Sequence, residues 1–524
     1  MTSTDPKPGE PVSLRRAALA PPLRPSRKAR RAENAQTSAV GTGQDRPVRP
    51  GGRGWLGRGR GSAELVQPAA EWRGTTVQVC GLWPFAAGSG SPVTGVPLGP
   101  NLLTGATVCA DPISWFMRAH LISNPSLFVL GLPGLGKSTT IRRMCLGLHG
   151  YGVQPLVLAD LKPDYVDLIQ ALGGQVITLG RGSGGLNVLD PGEATEVAKM
   201  LTGTARDQVL AEAHSRKVEL LKAFISIVRK ARVEVGESNI LGRAVQILAD
   251  RTERGPGTLP ELLQVIREAP ADLRAVAIDR GELSRYHDAT QNLESALLAM
   301  ISPDGAISDM FARPTAVQMR RDRPVVFDVS LIKDTESDLQ AAALLACWST
   351  GFASVNYHHL LADAGLEPRR HFFIVMDELW RALRSGPDMV DRIDGLTRLN
   401  RTVGVGQAFC SHTMSDLRSL ATESERIKAF GFVERSGMVI TAGLPAKEIP
   451  LLAQAGIRLS GREEAMVTEW SAPASFDVKT GREGAPPGRG RILIKVGTRP
   501  GIPVQVRLTQ AELALNDTNK RWTS

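Results

Sequence analysis

Apolar residues along the chain fall into short continuous runs and into helical stripes, with glycines between them. Ser126 to Leu130 is apolar at almost every position, as expected of a parallel strand covered on both faces. A glycine-rich loop follows at once. Beyond it Ile141, Met144, Cys145 and Leu148 recur at the spacing of one helix face. The spacing predicts a helix that starts at Lys137 and ends at Gly150 and Gly152, with His149 in its last turn. A strand at 155–159, a helix through Tyr165 to Leu172 and a strand at 175–179 complete a β–loop–α–β–α–β order. This is the plan of an α/β protein with a doubly wound, mostly parallel sheet.

The strand texture then disappears. Val218, Leu221, Ile225 and Val228 mark a helical stripe in charged sequence, and similar stretches make 192–320 a helical insertion. Strands resume at 324–329. A long helix follows, with Thr335-x-x-Asp338 as its expected N-terminal cap. Further strands are expected at 371–376, 402–410 and 437–442, with a C-terminal pair at 491–497 and 503–508. The chain thus divides into a tail (1–75), a first part of the α/β domain (76–191), the insertion (192–320) and a second part (321–524).

Composition changes this picture at one end only. Residues 1–73 carry 14 Lys and Arg against 6 Asp and Glu, so most of the net charge of +10 belongs to the tail. Rich in Pro, Gly, Arg and Ser, the tail cannot bury enough apolar surface to offset chain entropy and reads as disordered. It is either a solvated extension or an electrostatic arm for nucleic acid or anionic lipid. The 42% hydrophobic content is that of a soluble protein. The longest apolar stretch, Leu339 to Ala353, contains Gln340, Ser349, Thr350 and Gly351 and reads as a buried helix. No secretory signal opens the chain, and five scattered cysteines form no CxxC pair. A reducing cytoplasm, without a disulfide framework or zinc site, is the expected setting.

The chemistry lies in two places. Gly131-Leu132-Pro133-Gly134-Leu135-Gly136-Lys137-Ser138-Thr139 matches GxxxxGK[ST] in full, with a strand before it and a helix after it. Its amides would cradle phosphates at a helix N-terminus. Lys137 would reach the β and γ phosphates, and the Ser138 hydroxyl would ligate Mg2+. The second place is the apolar strand from His371 that ends in Asp377-Glu378. It sets two carboxylates at the carboxyl edge of the sheet. Asp377 would hold Mg2+ through water, and Glu378 would deprotonate the attacking water. Two further residues are candidates. Arg401 is either a surface arginine or an arginine finger, and His412 either an ordinary loop histidine or a contact to the γ-phosphate.

With these residues, the chain resembles HerA/FtsK-superfamily ATPases over about 95–510. It is most similar to the conjugative type IV secretion ATPases related to TraC and TraG of high-GC Gram-positive bacteria. The likeness is densest from the loop through Leu158 to Tyr165, Ala171 to Gly174 and Leu186 to Asp190. It is dense again from Asp377 to Trp380, Arg401 to Gly404 and Ser411 to Asp416. The resemblance implies a RecA-like core in a hexameric ring, ATP at subunit interfaces and Arg401 donated in trans. It also implies membrane-embedded secretion partners, at the inner face of the cell membrane. Departures are Ser411-His412 where the family has Thr-Gln, Asn187-Val-Leu-Asp190 where it has Asn-Pro-x-Asp, and no large N-terminal domain. The leading expectation is a Mg2+-dependent ATPase powering conjugative transfer or secretion. A duplex-DNA translocase and a non-hydrolysing ATP-dependent scaffold are the rivals.

Overall fold

Strand β3 (Ser126–Leu130) shows why the apolar runs are continuous. Phe128 and Leu130 enter one core, and Leu127 and Val129 enter another, on the opposite face of the sheet. Strand β7 (His371–Met376) divides likewise, with Phe372, Ile374 and Met376 on one side and Phe373 and Val375 on the other. A strand sandwiched in this way has no solvated face to mark with polar residues. Each such side chain contributes roughly 1.5–3 kcal/mol on burial.

The computed structural model describes residues 90–515 apart from 252–254, 304, 306, 308, 385–388, 398–403, 475 and 478–481. In chain order the remaining strands are β1 (Pro97–Pro100), β2 (Thr107–Cys109), β4 (Val153–Asp160), β5 (Gln175–Thr178), β6 (Val325–Asp328), β8 (Val405–Cys410) and β9 (Met438–Thr441). They are followed by β10 (Phe476–Asp477), β11 (Arg482–Glu483), β12 (Arg491–Lys495) and β13 (Ile502–Gln505). Nine of them form one sheet in the order β13-β12-β9-β3-β8-β7-β4-β6-β5. Neighbours from β9 to β5 are parallel, and β12 and β13 are antiparallel. All nine correspond to strands read from the sequence. The fold class, a mostly parallel doubly wound sheet with surrounding helices, is as expected. β8 lies between β3 and β7, so the glycine loop and the Asp377-Glu378 corner are separated by one strand. The antiparallel hairpin β1–β2 is an addition to the expected elements, because its strands are short and interrupted by Pro97, Gly99 and Pro100.

Between β5 and β6 the chain forms helices Ala194–Met200, Gly203–Arg229, Val235–Arg251, Leu259–Glu268, Ala271–Ala277 and Leu283–Ile301, with no strand among the described residues. Their apolar faces join the core of the sheet. Leu221, Phe224 and Ile225 are fully buried in the same cluster as Phe128 and Phe372. The long helix Ser337–Asp363 is buried almost all round. Its Ala353, Tyr357 and Leu361 pack with Ala213 of the insertion, and Trp348 donates its indole N–H to the Leu158 carbonyl at 2.5 Å. The expected cap at Thr335 is not formed. Glu336 occupies the cap position and its side chain makes no cap bond. Its carboxylate is already taken by the Lys333 amide at 3.1 Å and Arg181 at 2.7 Å. Among the described residues, no helix is long and apolar enough to cross a membrane. The tail lies outside the described residues.

Candidate nucleotide-binding site

The glycine loop turns sharply between β3 and the helix Lys137–Gly150, and it is stitched to the strands on either side. The Gly131 amide donates to the His412 carbonyl beyond β8 at 3.0 Å, and the Leu132 amide to Gly443 beyond β9 at 3.1 Å. From the third side, the Gly490 amide donates to Leu135 at 3.0 Å. Gly131 has no room for a side chain, since a Cβ there would lie 2.6 Å from the Ala442 Cβ, and its φ is +154°. Gly134 (φ +78°) is the opposite case. A Cβ there would meet nothing within 4 Å, so the loop's outer side is open to a ligand.

That open side faces a cleft of about 640 Å³, lined by Lys137, Ser138, Asp160, Lys162, Asp164, Asp377, Glu378 and His412 among others. A chain of contacts crosses it. The Lys137 ammonium donates to the Gly131 carbonyl at 2.7 Å and to Leu132 at 3.2 Å, and lies 3.1 Å from His412 Nδ1. His412 Nε2 is 3.4 Å from Glu378 Oε2, which also accepts the Trp380 indole N–H at 2.6 Å. Lys162 Nζ lies 3.3 Å from Glu378 Oε1. Glu378 is only 8% exposed, with a strained φ of +53°. Burial pushes its carboxyl up. The His412 hydrogen bond and charge, with Lys162 and Trp380, outweigh this and bring it down to about 2.

Asp377 is held just as firmly. Its Oδ2 accepts the Tyr165 hydroxyl at 3.1 Å, and its Oδ1 accepts the Glu378 amide at 2.9 Å. Tyr165 is fully buried, and its amide binds the Asp160 carboxylate at 2.7 Å. Burial, followed by the Asp377 charge, raises the Asp164 carboxyl, which also receives the Ser138 hydroxyl. Burial likewise pushes Asp160 well above the usual carboxylate range, with Asp164 and Asp377 adding to it. The Ser138 hydroxyl and the Asp377 carboxylate that line the cleft are hard oxygen ligands, the kind that suits Mg2+. With the N-terminus of the helix Lys137–Gly150 beside them, the residues fit a magnesium-bound nucleoside phosphate.

Lys137, Ser138, Asp377, Glu378 and His412, chosen from the sequence, thus line one cleft, with Pro133 and Gly134 of the loop on its wall. Arg401 lies outside the described residues. Sequence reasoning gives no role to Asp160, Lys162, Asp164, Tyr165 or Trp380. Asp160 ends β4, and Lys162, Asp164 and Tyr165 follow it in a stretch marked only by its family likeness. The available signal was an apolar strand ending in Asp160, at the same carboxyl edge as Asp377.

Glycine loop, parallel sheet and strand-end acids define an α/β protein of the P-loop, RecA-like class. Among solved structures the fold is shared with VirB4 of Thermoanaerobacter pseudethanolicus, at a TM-score of 0.57 and 18% identity, over 81% of this chain and 99% of that one. The bacterial conjugative coupling protein TrwB aligns less well, at 0.47 and 13% identity, over 78% and 88% of the two chains. A TrwB complex with ADP and Mg2+ aligns at 0.46 and 13% identity, over 75% and 87%. No protein-family model matches the chain, and no curated protein matches its sequence.

Proposed function

We propose that the chain is a Mg2+-dependent ATPase that acts as a motor of a conjugation or type IV-like secretion machine. The observation that carries the ATPase reading is the Lys137–His412–Glu378 line across the cleft. It ties the phosphate-binding lysine to a buried carboxylate placed to act on water. Kinship of fold with VirB4, over nearly all of that chain, supports the motor reading.

The residues divide the work. Loop amides and Lys137 hold the phosphates, while Ser138 and Asp377, the latter oriented by Tyr165, would hold Mg2+. When bound, Mg2+ neutralises charge on the β- and γ-phosphate oxygens. Glu378 takes a proton from the attacking water once its present partners let go. His412, touching both Lys137 and Glu378, is placed to link γ-phosphate occupancy to release of the base. Transition-state charge on the phosphate calls for a further cation, and Arg401 of a neighbouring subunit in a hexameric ring would supply one. Membrane-embedded secretion components are the expected partners. DNA would be gripped directly in the translocase alternative and moved indirectly, through those components, in the conjugation reading.

Steady-state ATP turnover by the purified protein, with and without duplex DNA at one fixed salt concentration, tests the reading. Turnover indifferent to DNA supports a secretion motor. Strong stimulation by DNA points to the translocase, and absence of turnover contradicts both.

A further inference from the structure

We propose that Lys162 is a catalytic residue, a second cation that engages the terminal phosphate from the side of the cleft opposite Lys137. This rests on the ATPase reading above and adds a residue to it.

The loop carrying Lys162 is pinned on both sides. Before it, Asp160 is buried and bonded to the Tyr165 amide at 2.7 Å. After it, Pro163 restricts the backbone, and Tyr165 is buried with its hydroxyl on Asp377. Lys162 itself has room to swing, since its side chain is 57% exposed and lines the cleft. Its ammonium now lies 3.3 Å from Glu378 Oε1. Half-solvated ion pairs of this kind hold little energy, so a stronger anion displaces the partner readily.

A terminal phosphate is such an anion. To reach Lys137 it replaces the Gly131 and Leu132 carbonyls that the ammonium now binds. From Lys137 to Lys162 the cleft spans one imidazole and one carboxylate, His412 and Glu378, in unbroken contact. The incoming phosphate repels Glu378 and attracts both lysines. Transfer of Lys162 from Glu378 to the phosphate then does two things at once. It places positive charge where the transition state develops negative charge, and it leaves Glu378 Oε1 free to accept a proton. In the step itself the water oxygen bonds to the γ-phosphorus and the bond to the β–γ bridging oxygen breaks. ADP leaves with that electron pair, and the water proton passes to Glu378.

The test compares wild type, Lys162→Ala, Lys162→Arg and Glu378→Gln as full-length proteins. Calorimetric affinities for ADP and ATPγS are measured with Mg2+, alongside phosphate release. Lys162→Ala is expected to lower kcat about 100-fold, the scale for loss of one transition-state donor. ADP affinity is expected to be unchanged, ATPγS affinity to fall several-fold, and Lys162→Arg to recover part of both losses. Wild-type kcat in Lys162→Ala beside an inactive Glu378→Gln overturns the Lys162 role and leaves the ATPase reading intact. Equal loss of ADP and ATPγS affinity also overturns it, because it marks a role in loop structure alone. Turnover in Glu378→Gln equal to wild type overturns the ATPase reading, and this inference with it.

Discussion

Asp377, the proposed Mg2+ ligand, is set by its neighbours. Tyr165 commits its buried hydroxyl to this one carboxylate oxygen. Removing that bond in Tyr165→Phe leaves packing intact and costs about 1 kcal/mol of stability. Outer-shell partners typically change metal affinity by roughly tenfold or more. The Mg2+ concentration for half-maximal turnover is therefore expected to rise about tenfold in a Mg2+ titration, with little change in kcat at saturating Mg2+. At Gly131 the constraint is steric. Gly131→Ala forces a Cβ to within 2.6 Å of the Ala442 Cβ in a backbone region that suits glycine. It should abolish nucleotide binding measured by calorimetry. His359 provides a pH signature distant from the cleft. Burial, then the charges of His358 and others, lower its pKa from 6.5 to about 4. Folding therefore favours neutral His359. Its contribution is complete above pH 6.5 and is lost as pH falls from there towards 4. Replacing it in His359→Phe should flatten the decline of thermal stability across that window.

At the scale of elements, the sheet and the insertion share one apolar core. Leu221 in the middle of helix Gly203–Arg229 is fully buried in the cluster that also holds the sheet residues Leu156 and Ile374. Leu221→Ala is expected to cost about 2–5 kcal/mol. A single, lowered calorimetric transition is expected, because Leu221 shares one buried cluster with the sheet. The strands are legible in the sequence because burial on both faces makes them continuously apolar, and the helix Lys137–Gly150 because its stripe is regular. The start of the long helix is misread from the sequence: the cap position falls to Glu336 and not to Thr335, and the Glu336 carboxylate is held by Lys333 and by the distant Arg181, a tertiary fact that local patterns do not contain. In the site, the loop and the Asp377-Glu378 pair are legible because their chemistry demands fixed local spacing. Lys162 and Tyr165 are not. Their function depends on β4 lying beside β7, and that adjacency joins residues more than two hundred positions apart.

At the scale of the molecule, the basic tail and the ATPase cleft are expected to be separable. Deleting residues 1–75 should leave ATP affinity unchanged in calorimetry, and loss of binding would make the tail part of the fold. Lys137, Asp377 and Glu378 are assigned to one hydrolytic site, and everything proposed for the chain's function depends on that assignment. The decisive measurement is phosphate release from ATP with Mg2+, comparing wild type with Glu378→Gln and recording ATP binding in parallel. Glu378→Gln is expected to bind ATP still, while phosphate release falls at least about 100-fold. Undiminished phosphate release by Glu378→Gln would contradict the assignment.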